Sequence, residues 1–185
     1  AGGDELTPRV INGQDADPNE YPFVARLVFP GIDGIWCGAT ILNDQWLMTA
    51  AHCVDGIIFG YPVPTTAVLG DHDITQPDGT ELEVNIEGVA IHPAYDYFTL
   101  NNDIALLLLE EPIEFNEYIQ PLTPGVLPAV GSDIETIGWG VSDINTGEEP
   151  AILQEITLQL VDPAECDAQL GIFNPVTDQM LCLAD

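Results

Sequence analysis

Trp46-Leu47-Met48-Thr49-Ala50-Ala51-His52-Cys53 ends a short apolar run on a histidine and a cysteine. Asn102-Asp103-Ile104-Ala105-Leu106-Leu107, fifty-one residues beyond the histidine, opens a second apolar run on an aspartate. Each run is strand-sized. A side chain at the edge of a strand can be aimed by the rigid sheet behind it. A histidine general base needs one unhindered ring nitrogen and a fixed tautomer. A carboxylate that accepts from the other nitrogen supplies both. His52 and Asp103 have the right types, in the order histidine then aspartate. Taken singly, His52 reads first as a satisfied core histidine and Asp103 as a strand-end turn former.

Around these runs alternation dominates. Glu81-Leu82-Glu83-Val84-Asn85-Ile86-Glu87 is apolar at every second position, and Ile156, Leu158 and Leu160 repeat the pattern. Segments 23–29, 39–42, 46–49, 67–69 and 134–137 read as further short strands. Turn residues such as Asp33-Gly34, Asp78-Gly79 and Pro124-Gly125 separate them. Many short strands at this spacing predict an all-β barrel or sandwich. One helix is signalled: Asp162 as N-cap, Pro163 at the first helical position, Glu165 at the third, and Gly171 as the stop. A proline-containing stretch, 114–131, divides an earlier set of strands from a later one and reads as a connector.

The chain has 185 residues, with 31 acids against two arginines and no lysine, a net charge of −29. Phosphate-rich partners would be repelled, so neither nucleic acid nor an anionic membrane surface is an expected partner. No apolar run approaches the roughly 20 residues of a membrane-spanning helix. The acids are scattered. They suit either an origin in salty surroundings or a lineage bias, and bear on solubility rather than chemistry. The first residue is not Met, which suggests a processed N-terminus.

Cys37, Cys53, Cys166 and Cys182 make an even count, as in a protein of an oxidising compartment. Three pairings are open. Nearest-neighbour pairing would close two loops of equal length, each contributing roughly 3 kcal/mol. A zinc site lacks support, because there is no C-x-x-C and no paired histidine spacing.

Read as a set, the motifs resemble those of the trypsin-like, chymotrypsin-fold serine proteases. In order they are Arg9-Val10-Ile11-Asn12-Gly13, Pro22-Phe23-Val24, Cys37-Gly38-Ala39-Thr40-Ile41-Leu42 and the His52 run. The Asp103 run, Ile119-Gln120-Pro121, Gly138-Trp139-Gly140 and Met180-Leu181-Cys182 follow. One such motif is weak; several in register from Val10 to Cys182 are specific. The resemblance implies a chymotrypsin-like double β-barrel with the second barrel incomplete. Its parts would be 1–9 (propeptide or linker remnant), 10–113 (first barrel), 114–131 (connector) and 132–185 (partial second barrel). It implies His52 as general base and Asp103 as the orienting carboxylate. It also implies Cys37–Cys53 and Cys166–Cys182 disulfides, and cleavage after Arg9 to release Val10 in zymogen activation. The parent would be a secreted, monomeric serine endopeptidase. Its partners would be protein or peptide substrates and proteinaceous inhibitors.

The third member of a Ser-His-Asp triad does not appear. The family's Gly-Asp-Ser-Gly-Gly loop follows the position of Cys182, where this sequence carries three more residues. The only serines, Ser132 and Ser142, do not stand in a nucleophile-like turn. Residues 1–185 alone are therefore expected to be inactive. The rival expectation is a non-catalytic homologue that acts as a binding or regulatory module. Segment 71–81 concentrates hard oxygen ligands and resembles the calcium loop of trypsins. Asp71, Asp78 and Glu81 would supply carboxylates there, and Asp73 and Gln76 backbone carbonyls. Calcium would be structural, and no cofactor is required for the reaction. Two aspartates stand where glutamates are usual, and the alternative is a solvated acidic loop. His72 and His92 read as structural, and Trp36, Trp46 and Trp139 as packing residues.

Overall fold

A computed structural model describes residues 13–31, 37–56, 62–140, 150–170 and 176–184. Six strands close a barrel: β2 (Val24–Val28), β3 (Gly38–Ile41), β4 (Trp46–Thr49), β5 (Thr66–Leu69), β6 (Leu82–Ile91) and β7 (Ala105–Leu109). The order around it is β2-β3-β4-β7-β6-β5, and β5 returns to β2 with every pairing antiparallel. Period-two alternation is what lets these segments close. Ala25 and Leu27, Leu47, and Ala105, Leu107 and Leu109 point inward and are buried, while their neighbours stay half-exposed. These side chains form one core with Ile41, Ala67, Leu69 and Ile113.

The expected inward row on β6 is realised only in its middle. Val84 and Ile86 pack on the core, but Leu82 is exposed. The register then shifts between Ile86 and Gly88. Such a bulge turns side chains to the other face and lets a ten-residue strand bend round the barrel.

The second unit is an open sheet. β9 (Gln154–Val161) pairs with β8 (Asp133–Gly138) along one edge. It pairs with β1 (Gln14–Asp15) and β10 (Cys182–Ala184) along the other. α1 (Pro163–Leu170) follows β9. Its N-cap is the expected one, since Asp162 Oδ1 accepts from the Ala164 N–H at 2.8 Å. The expected stop, Gly171, lies outside the described residues. The connector 114–131 holds no helix or strand, yet Ile119 is buried in the barrel core. Gln120 and Leu122 donate backbone bonds to Pro22 and Ile41. A small cluster of Ala16, Trp139 and Leu153, with Ile74 and Ile137 against it, packs loop 71–81 onto the second sheet. Disulfides join Cys37 to Cys53 and Cys166 to Cys182. Among the described residues, no helix is long and apolar enough to cross a membrane.

Candidate active site

The barrel register brings His52 and Asp103 together. Thr49 at the end of β4 lies opposite Ala105 at the start of β7. His52 therefore leaves one strand where Asp103 enters its neighbour. After β4 the chain turns through a 3-10 helix, Ala51–Cys53, with Ala51 buried beneath it. Cys53 is tied to Cys37 just before β3, and Thr49 Oγ1 donates to the Gly38 carbonyl at 2.8 Å. The histidine thus rides on a turn fixed from both sides.

Both carboxylate oxygens of Asp103 are used on His52. Oδ1 accepts from the His52 backbone N–H at 2.9 Å, and Oδ2 lies 2.6 Å from the ring Nδ1. Two bonds from one residue fix the carboxylate plane as well as its distance. Oδ2 can only accept, so the neutral ring carries its proton on Nδ1 and leaves Nε2 as the basic nitrogen. Nε2 lies 3.6 Å from Cys53 Sγ. That sulfur is in a disulfide, so the Cys37, His52 and Cys53 grouping offers no thiolate for a metal. Just before Asp103, Asn102 has φ of 55°. This left-handed backbone is one that asparagine tolerates better than most side chains. The Asn102 side chain donates to the Ala94 carbonyl at 3.0 Å, which holds the turn.

A cleft of about 840 Å³ opens between the barrel and the second sheet. Asn102, Asp103 and His92 line it from one side, and Gly138, Trp139 and Gly140 from the other. His92 is structural in part, because its Nδ1 accepts from the Ala94 N–H at 3.2 Å. Ser132 stands at the opposite end of β8 from Gly138. Arg9, Val10, Trp36 and Ser142 lie outside the described residues.

The structure brings Asp71, Asp78 and Glu81 together, with one carboxylate oxygen of each within 4.8 Å of the others. The Asp73 side chain is engaged elsewhere, by the Thr75 N–H and Oγ1 and by Gln76 Nε2. Asp73 and Gln76 could join a metal only through their carbonyls. Bonds from the Thr75 hydroxyl and N–H, then from Gln76, hold the Asp73 carboxyl below its ordinary value of 3.8. The Glu81 carboxyl is likewise lowered from 4.5, by its own backbone N–H and then by those of Asp78, Gly79 and Thr80. Three carboxylates at this spacing offer the hard oxygen ligands that suit a divalent cation.

A cation is already present there. Arg26, on β2, donates through Nε and Nη2 to Asp71 Oδ2 at 2.9 and 2.7 Å. Sequence reasoning missed this pair. The signal available was the scarcity of cations: one of only two arginines stands within an apolar strand. Placing it against Asp71 required knowing that β2 pairs with β5, opposite Val68.

The family model described as Trypsin matches residues 10–185. Trypsin-1 of Astacus astacus is 32% identical over 179 residues, covering 94% of this chain and 73% of that protein. Chymotrypsin-like elastase family member 1 of Macaca fascicularis is 35% identical over 192 residues, covering 96% of this chain and 67% of that protein. Brachyurin of Leptuca pugilator is 30% identical over 175 residues, covering 94% and 73%.

Proposed function

The chain belongs to the trypsin family of chymotrypsin-fold serine proteases, and from that premise we propose that it provides the base and the orienting carboxylate of a serine endopeptidase. The two-pronged grip of Asp103 on His52 carries this reading. A serine hydroxyl placed against Nε2 would give up its proton there as its oxygen attacks a peptide carbonyl. The imidazolium so formed lies 2.6 Å from a carboxylate, which lowers its energy. The same proton then passes to the departing amine, and the acyl group stays on the serine until water removes it. His52 acts first as base and then as acid; Asp103 keeps its tautomer and orientation and takes no proton.

Ser132 stands away from His52, and Ser142 does not follow a nucleophile-like turn in the sequence. The nucleophile is therefore proposed to come from outside residues 1–185, which by themselves form no acyl-enzyme. Peptide and protein chains are the proposed substrates, and proteinaceous inhibitors of the same cleft are proposed partners. The two disulfides favour a secreted protein. Arg9-Val10 is the proposed activation junction. Asp71, Asp78 and Glu81, with the carbonyls of Asp73 and Gln76, form the proposed structural calcium site, whose chemistry is charge neutralisation of the loop.

A serine-directed phosphonate probe tests the reading. The complete gene product is expected to take up one equivalent, and its His52→Ala variant almost none. Residues 1–185 alone are expected to take up none, and stoichiometric labelling of them would overturn the assignment. If the complete product is folded and also stays unlabelled, the chain is a non-catalytic homologue and its cleft a binding surface.

A further inference from the structure

His52 and Asp103 sit on two different loops, and their own contact is not the sole bond between those loops. The Asp103 loop runs from His92 to Ile104. It closes on itself through the Asp96 N–H to the Asn101 carbonyl at 3.1 Å. Within it, Tyr95 turns toward the barrel and packs against the core. Its hydroxyl donates to Asp55 Oδ2 at 3.1 Å. Asp55 follows directly after Val54, the residue that ends the 3-10 turn bearing His52. One side chain thus spans from the loop of the carboxylate to the turn of the histidine.

The chemistry of this bond suits such a role. Burial, the bond to Asp55, and then the nearby charges of Asp55, Asp103 and Asp96 all push the Tyr95 phenol well above its ordinary value of 10. At neutral pH it remains an uncharged donor beside Asp103. It adds no negative charge next to a carboxylate that has to hold a protonated ring. The His52–Asp103 pair is partly open to water, with side chains 33% and 21% exposed. Water competes for hydrogen bonds at such a site. A strap anchored in the core restrains the two loops where the pair itself is least protected.

We propose that the Tyr95–Asp55 hydrogen bond is a second clamp across the two loops, making Tyr95 a positioning residue for the His52–Asp103 pair. The proposal rests on the reading of that pair as base and orienting carboxylate. The loss of the clamp would let the loops separate more often, and each separation exposes the Nδ1 proton of His52 to solvent.

The test is proton NMR of the 185-residue chain with nitrogen-labelled histidine, following exchange of the His52 Nδ1 proton with water. The wild type is expected to show this resonance far downfield and slow to exchange. Tyr95→Phe removes the donor, and Asp55→Ala removes the acceptor. Each is expected to speed exchange at least about tenfold, the size of effect that one bond to a charged group supports. Asp55→Asn keeps an acceptor oxygen and is expected to stay near the wild-type rate. Slow exchange of the β4 and β7 amides in every variant shows that the barrel is intact. If Tyr95→Phe does not fold, Asp55→Ala decides. Exchange rates within about twofold of wild type in the donor and acceptor deletions overturn the clamp alone. Absence of the downfield proton from the wild type overturns the pair itself, and the clamp with it.

Discussion

Arg26→Gln is the substitution whose cost follows most directly from the structure. Arg26 places two N–H groups on a single oxygen of Asp71, at 2.9 and 2.7 Å. The Asp71 side chain is 4% exposed and that of Arg26 21%. Removing one partner of a fully buried pair costs about 3–5 kcal/mol, because the remaining charge is left without compensation. Arg26 is partly solvated, so part of that value is screened away; glutamine also recovers one hydrogen bond. A loss of about 2 kcal/mol is the expected result, well above the few tenths typical of a surface pair. Urea unfolding followed by tryptophan fluorescence, in chelator at physiological salt, would measure it. Asp71→Asn in the Arg26→Gln background should restore part of the loss, since no uncompensated carboxylate then remains. Strong salt should restore little, because a buried pair is weakly screened. A loss below about 0.5 kcal/mol would show the pair to be an ordinary surface contact and refute the reasoning. So would an equal loss in the single and double variants.

Two more outcomes concern the same loop. Calcium is expected to bind with a measurable heat in titration calorimetry and to slow proteolysis within 71–81, with Asp78→Asn abolishing both effects; equal cleavage in calcium and in chelator would exclude the site. On acidification, loop amides bonded to Asp73 and Glu81 should lose protection from hydrogen exchange before the barrel does. Both carboxyls are lowered in the folded chain from 3.8 and 4.5, so their stabilisation is complete above those ordinary values and is lost as pH falls through the lowered ones. Simultaneous loss of loop and barrel protection would contradict that order.

Much of the barrel was legible because its strands repeat with the period of a pleated sheet. Ala25 and Leu27 and the Ala105, Leu107 and Leu109 row are buried as that pattern implies. His52 and Asp103 were legible as motifs, and their meeting depended on nothing subtler than β4 pairing with β7. What escaped the sequence depends on closure. The exposed Leu82 and the shift at Ile86–Gly88 arise because a long strand has to bend to complete a cylinder. Ile119 fills the core from a segment read as a connector. Arg26–Asp71 and Tyr95–Asp55 join residues far apart in the chain, and neither pair sits in a recognisable motif.

The pairing of Thr49 with Ala105 has a further consequence, in time rather than space. Every strand between them, β5 and β6 included, lies within the loop that this contact closes. Closing so long a loop is entropically costly, and sheets built on distant pairings form slowly, in milliseconds to seconds. The histidine and its carboxylate therefore become neighbours only when the cylinder is nearly complete. A chain emerging during synthesis holds His52 on a half-made wall until Leu106 to Leu109 arrive. The contact between His52 and Asp103, on this ordering, is among the last that the barrel acquires.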